Sequence, residues 1–327
     1  MDASDTERRK EEHIMRSLEG GSQYREGSGF ERVKFLHNSL PEVDFDKIDT
    51  GVEAFGKKFG APLMISGMTG GYAKAEGINK ELACVAEEFS LAFGLGSQRA
   101  MLEKEELTKT YDVKKEAPSV FLIGNIGAYQ LKEYSEERIA WMISKVELDA
   151  LAIHLNPLQE LIQPEGDRNW EGVKEAIGKH VESLDIPVII KETGAGISPY
   201  VIDELKELGI SWFDISGKGG TSWSKIEYMR GGSIEGFEEW GIATVDCLLM
   251  NRGKANIIAS GGIRSGIDGA KAIALGAKFF GAAQPFLKAQ QQGKLSETVG
   301  KWIEQLKGAM FLTGSKNIEE LANAKLM

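Results

Sequence analysis

The chain has 327 residues, 42% of them hydrophobic, and a formal net charge of −10. That is enough apolar material for one large core, and a single α/β barrel is routinely this long. The acidic balance lacks any Lys/Arg cluster of nucleic-acid-binding length, no apolar run reaches the ~20 residues of a membrane helix, and two cysteines, Cys84 and Cys247, make no disulfide framework. Charge from Asp2 to Glu12 argues against a secretory signal, so a reducing cytoplasm is the expected compartment.

Residues 1–30 read as a polar arm with at most a short helix, and residues 31–60 as an irregular lead-in with a short hairpin. Strand and helix then alternate. Strands are expected at 62–65, 91–95, 119–123, 149–153, 187–190, 210–215, 256–259 and 277–280. Helices are expected at 75–88, 135–145, 170–183, 198–208, 244–251 and 265–275, with a long loop before the fifth. The tail from Pro285 to Met327 reads as helical. The strands are apolar throughout, as a parallel sheet buried on both faces requires. The expected architecture is α/β: one (β/α)8 TIM barrel over 41–327, preceded by an N-terminal arm and lead-in over 1–40.

Nearly every apolar run closes on glycine or a small polar residue. The closures are Ser66–Gly71, Gly96–Arg99, Gly124–Gly127, His154–Asn156, Lys191-Glu192, Ser216–Thr221, Gly261–Arg264 and Gly281–Ala283. A barrel enzyme carries its chemistry at this end of its strands.

The seventh closure, Gly261-Gly262-Ile263-Arg264, opens a helix. Glycine allows close backbone approach to an anion, the helix N-terminus adds partial positive charge, and Arg264 can fork onto phosphate. Ala282 and Ala283 permit a second approach. Across the mouth, Thr69, Gly70, Ser97, Asn125, Ser216 and Thr221 offer uncharged groups and Lys191 one cation. That set suits a flat heteroaromatic ring such as flavin mononucleotide (FMN), whose reduced anion Lys191 would stabilise. The plainer alternative pairs Lys191 with Glu192 or Asp214.

After the fourth strand, His154 and Asn156 share a parity, and Gln159 and Glu160 sit on the turn that follows. One carboxylate fits Mg2+, which keeps waters and takes substrate phosphate oxygens. A lone histidine would default to a core role; four polar groups within seven residues argue otherwise. Arg99, with Arg9, Lys10 and His13 of the arm, could collect a second anion, although Arg9 and Lys10 alone read as a solvated charge run. Trp223 could line the mouth or fill the core.

These motifs resemble the FMN-dependent, type 2 isopentenyl-diphosphate isomerases over nearly the whole chain. The strong pieces are Met68–Gly71, Gly96–Arg99, His154-Leu-Asn-x-x-Gln159-Glu160, Lys191-Glu-x-Gly-x-Gly196, Gly219–Trp223 and Gly261–Arg264. The resemblance implies a 1,3-allylic proton shift that turns isopentenyl into dimethylallyl diphosphate in isoprenoid biosynthesis. It implies FMN kept reduced by NADPH, Mg2+ on the diphosphate, and a homo-oligomer, tetramer or octamer. Met68, Thr69, Gly70, Ser97, Asn125, Lys191, Ser216 and Thr221 would hold the flavin ring and ribityl chain. Gly262, Ile263, Arg264, Ala282 and Ala283 would hold its phosphate. Arg9, Lys10, His13, Ser97, Gln98, Arg99, His154, Asn156 and Gln159 would meet substrate, and Glu160 the metal. Gln159, His154 and Lys191 would be catalytic. Two alternatives stay open: an FMN-dependent 2-hydroxyacid oxidase or dehydrogenase, and a non-catalytic barrel that binds a phosphate ligand.

Overall fold

The computed structural model describes residues 3–18, 20–232 and 234–327, with the side chains of 3–7 and 9 outside that description. The chain opens with α1 (Ala3–Leu18) and a hairpin, β1 (Val52–Ala54) and β2 (Lys57–Phe59). It continues through β3 (Leu63–Ile65), α2 (Ala75–Glu88), β4 (Ala92–Gly94), α3 (Arg99–Glu103), β5 (Phe121–Gly127), α4 (Glu136–Lys145) and β6 (Ala150–Leu155). Next come α5 (Pro157–Ile162), α6 (Val173–Ser183), β7 (Val188–Glu192), α7 (Pro199–Lys206), β8 (Trp212–Asp214), α8 (Trp223–Met229) and α9 (Thr244–Asn251). The last elements are β9 (Asn256–Ala259), α10 (Gly266–Ala274), β10 (Phe279–Ala282), α11 (Gln284–Gln291), α12 (Leu295–Thr313) and α13 (Ile318–Ala322).

Strands β3 to β10 pair in sequence, all parallel, and β10 returns to β3 to close the eight-stranded barrel. Closure leaves no sheet edge to protect. The expected TIM barrel is the observed fold. Its helices start where the sequence offers caps: Ser135, Ser222, Ser265 and Asn317 accept backbone N–H groups of α4, α8, α10 and α13. The hairpin packs Phe55 and Phe59 against Phe121, Trp212 and Phe279, closing the end where the strands begin.

Four sequence readings are corrected. The arm is not a short helix at most: α1 is 16 residues long. Its Ile14 packs with Tyr72, Ala75 and Leu287, so tertiary burial stabilises a helix whose polar composition alone argued for a frayed tail. The long loop after β8 contains α8, capped by Ser222. Gln159 and Glu160 lie on α5 rather than on a turn, with Pro157 at its first position. Strands β5, β6, β7 and β10 run beyond the purely apolar stretches, so Asn125, His154, Lys191 and Ala282 are themselves strand residues.

Candidate functional site

The parallel register sets His154 of β6 beside Lys191 of β7, and Lys191 beside Asp214 of β8. All three sit at the strand ends opposite the aromatic plug. Above them opens a cavity of about 250 Å³. Its walls include the β3–α2 loop, the starts of α5 and α11, the turn after β9, and Lys10, His13, Ile14 and Ser17 of α1. The N-terminal helix is therefore one wall of the cavity. It is tied there by Lys10, whose ammonium donates to the Ser97 carbonyl at 2.6 Å and the Tyr111 hydroxyl at 2.8 Å.

His154 is oriented by Asn125. The Asn125 amide donates to the Leu95 carbonyl at 3.0 Å, so its oxygen faces His154 Nδ1 at 2.8 Å and accepts a hydrogen bond from the Nδ1–H. Nε2 is then left as an acceptor. Burial, then the positive charges of Lys191 and Lys10, push the His154 pKa down to about 3, so the ring is neutral at pH 7.

Glu160 is buried at the start of α5. Its Oε1 accepts from the Asn156 amide at 2.8 Å and its Oε2 from the Asp167 backbone N–H at 2.9 Å. Gln159 donates to Glu227 Oε1 at 2.9 Å, and His13 Nε2 lies 2.9 Å from the same oxygen. Arg230 holds the other Glu227 oxygen and also reaches Glu12 and Glu165. Burial alone would raise the Glu227 pKa; His13, Arg230 and Gln159 outweigh it and hold the carboxyl below its usual range. Arg99 pairs with Glu103 at 2.7 Å.

Lys191 donates to the Glu192 carbonyl at 2.9 Å and lies 3.3 Å from Asp214 Oδ2. Both partners that the plainer sequence reading offered it are thus present, and its side chain still lines the cavity. Around it, the hydroxyls of Ser66 and Thr69 are buried without a hydrogen-bond partner among the described residues. On the β9 side, Gly261 and Gly262 adopt φ of +94° and +72°, where a side chain is strained. A Cβ on Gly261 would lie 2.0 Å from the Gly217 carbonyl oxygen, so only glycine fits that turn.

Comparison with known proteins places this geometry. The FMN-dependent dehydrogenase family matches residues 159–327. An isopentenyl-diphosphate delta-isomerase of Pyrococcus furiosus is 46% identical, covering 98% of this chain and 86% of that protein. One from Pyrococcus horikoshii is 47% identical (98% and 91% covered), and one from Rickettsia akari 44% identical (97% and 96%). The chain belongs to the FMN-dependent isopentenyl-diphosphate isomerase family. Among solved structures, a mandelate oxidase carrying an FMN adduct superposes with a TM-score of 0.67 at 16% identity, covering 100% and 99% of the two chains. A lactate oxidase of Pediococcus acidilactici gives 0.69 at 16% identity, covering 100% and 95%. These two likenesses show the barrel fold alone.

Nearly all the residues expected at the site meet in this one cavity. Met68, Thr69, Gly70, Ser97, Asn125, Lys191, Ser216, Thr221, Gly262, Ile263, Arg264, Ala282 and Ala283 line it, as do Lys10, His13, Arg99, His154, Asn156, Gln159 and Glu160. Gln98 does not belong with them. It is fully buried, its oxygen accepting the Asn125 N–H at 3.0 Å and its amide donating to Met101 Sδ at 3.3 Å. It fixes the backbone of Asn125 from behind and does not line the cavity. The side chain of Arg9 lies outside the described residues. Sequence reading missed Gln130, Tyr111, Glu227 and Arg230. Of these, Gln130 lines the cavity, Tyr111 and Glu227 brace Lys10, His13 and Gln159 that do, and Arg230 holds Glu227. Glu227 and Arg230 stood in the stretch taken for a loop, where the capping signal of Ser222 followed by an apolar i, i+3 pattern was the clue.

Proposed function

We propose that the chain interconverts isopentenyl and dimethylallyl diphosphate by a 1,3-allylic proton shift, with FMN and Mg2+ bound. One observation carries the reading. A single cavity joins two unlike donor sets: Lys191, the partnerless Ser66 and Thr69 hydroxyls and the glycine turn on one side, and Lys10, His13, Asn156, Gln159 and Glu160 on the other.

The first set fits FMN. Lys191 matches the carbonyl-rich edge of its ring, and the turn after β9 together with the N-terminus of α11 matches its phosphate. Bound in reduced form, FMN supplies a proton donor and acceptor and an electron-rich face. The second set fits a magnesium diphosphate. Among the described residues no three His, Cys, Asp or Glu side chains form a metal cage, so Glu160 would share the ion with water and substrate oxygens. Lys10 and Arg99 supply positive charge to the ester, and Arg9 would join them.

The chain's own residues then divide the work. Lys191 would favour negative charge on a bound reduced flavin and so help to stabilise positive charge developing on the substrate. α1 and Trp223 wall the cavity and would limit the access of water to bound substrate. Neutral His154 is no acid at pH 7; it orders Asn125 and offers Nε2 as an acceptor until an anionic ester favours the protonated ring. Gln159, with its amide N–H groups turned to Glu227, keeps its carbonyl oxygen to orient the reacting carbons. NADPH as reductant, a cytoplasmic location and a closed homo-oligomer complete the proposal.

The test is to incubate the FMN-loaded, dithionite-reduced protein with Mg2+ and isopentenyl diphosphate in D2O. Deuterated dimethylallyl diphosphate is expected. No product, together with bleaching of the oxidised flavin by lactate or glycolate under argon, would assign it instead to hydroxyacid oxidation.

A further inference from the structure

Beneath the cavity floor, inside the barrel, lies a second chamber of about 20 Å³. Met64, Ile123 and Ile258 make its walls apolar; Ser66, Lys191 and Asp214 are among its polar residues. Lys191 thus lines both spaces. The chamber has room for one water and nothing larger.

Asp214 is only 1% exposed. Its Oδ1 is engaged, accepting the Ser260 hydroxyl at 2.5 Å and the Ser216 N–H at 3.3 Å. Its Oδ2 makes no hydrogen bond to a described residue and faces Lys191 Nζ at 3.3 Å. The backbone bends to make this arrangement. Ser216 adopts φ of +33°, a left-handed conformation that costs a non-glycine residue on the order of 1–3 kcal/mol. That bend returns the Ser216 N–H to Asp214 while Ser216 itself lines the cavity. A buried carboxylate is stabilised by a nearby cation, and among the described residues the cation beside Asp214 is Lys191.

We propose that Asp214 is a positioning residue that holds the Lys191 ammonium at the cavity floor and partly offsets its charge, and so sets how strongly the bound flavin is drawn toward its reduced, anionic form. The inference rests on the FMN reading above. The ammonium donates one hydrogen to the Glu192 carbonyl and lies 3.3 Å from Asp214 Oδ2, so both contacts draw it away from the cavity. What the flavin feels is the charge of Lys191 minus the part that Asp214 cancels. The other charged groups nearby are the Glu192 carboxylate and Lys10; His154 is neutral.

The experiment is an equilibrium redox titration of bound FMN against a reference dye, in the wild type, Asp214→Asn, Asp214→Glu and Lys191→Met. Asp214→Asn leaves Lys191 less offset. Its flavin should be reduced about tenfold more readily, close to 30 mV more positive for two electrons. Lys191→Met should move the potential the other way, and Asp214→Glu should restore the wild-type value. If Asp214→Asn does not fold, Ser260→Ala carries the test. It strips a hydrogen bond from Oδ1 and leaves the charge, so the potential should fall by about threefold in the reduction equilibrium. An unchanged potential in Asp214→Asn while Lys191→Met shifts it overturns the inference, as does a shift of opposite sign. A wild-type protein that takes up no FMN would instead sink the isomerase reading and this inference with it.

Discussion

The two ends of the barrel solve opposite problems with the same eight strands. Where the strands begin, Phe55 stacks on Phe121 at 5.2 Å and on Trp212 at 4.2 Å, and Phe59 meets both Phe121 and Phe279 edge-on. Apart from the Trp212 indole N–H, that cluster carries no side-chain polar group. Where the strands end, buried hydroxyls lack hydrogen-bond partners among the described residues, a serine sits at positive φ, and two titratable groups lie far from their ordinary pKa values. One end contributes stability; the other gives some of it up for a site. The difference can be broken most forcefully from below. Phe121→Ala removes the ring on which both hairpin phenylalanines rest and should cost about 3–5 kcal/mol. Urea denaturation should show that loss, while FMN affinity of the folded fraction stays unchanged. A parallel loss of FMN binding would mean that the ends are not separable.

From above, the same contrast appears as pH dependence. His154 has its pKa depressed from 6.5 to about 3, so the unfolded chain binds more protons than the folded one between those values. Its contribution is complete above pH 6.5 and is lost as pH falls toward 3. Glu192 behaves oppositely. Burial raises its pKa from 4.5 to about 7, against the pull of Lys191 and the backbone N–H groups of Thr193, Gly194 and Ala195 on Oε2. The stability it contributes is complete below pH 4.5 and is lost as pH rises through 7. The two slopes cancel between 4.5 and 6.5. Glu192→Gln should therefore expose the histidine slope. Relative to wild type, the flavin-free variant should gain about 3 kcal/mol between pH 4.5 and 6.5, at 1.36 kcal/mol per unit. Parallel stability curves for the two proteins would show that Glu192 titrates normally.

A third change reads the top end by rate. Gln159→Ala leaves Glu227 with His13 and Arg230 as partners, so the fold should hold. The value of kcat/KM should fall about 10²-fold, mostly in kcat, if Gln159 orients the reacting carbons. A rise in KM alone would reduce it to a binding contact.

The contrast also explains what the sequence could and could not reveal. Strand and helix order was legible because buried parallel strands are continuously apolar, and the glycine closures pointed to the chemical end. The aromatic plug was not, because Phe55, Phe121, Trp212 and Phe279 are far apart in the chain and only closure brings them together. At the site, Lys191 and His154 were visible as polar residues ending apolar runs. Asp214 falls inside the expected strand 210–215 rather than at its closure, and its importance comes from the barrel register that sets it beside Lys191. Gln98 sits between two cavity residues, Ser97 and Arg99, but the start of α3 sends its side chain inward. The arm was misjudged because its helix depends on burying Ile14 against α2 and α11, a tertiary contact that no local pattern announces.

The smallest effect tests the ion pairs that border the apolar contacts below. Asp149 accepts from Lys57 of the hairpin at 2.9 Å, from Lys114 at 2.8 Å and from the Leu122 N–H at 2.9 Å. Burial would raise its pKa, but these three partners together lower it. Lys57 is nearly half exposed, so its ion pair is screened and worth little. Lys57→Met should change stability by less than about 1 kcal/mol, with activity unaltered, because Lys114 and the backbone still satisfy the carboxylate. Asp149→Ala should cost more, since it strands the mostly buried Lys114 ammonium and the Leu122 N–H. If both variants proved equally mild in urea denaturation, the strand-start end would owe its stability to aromatic packing alone.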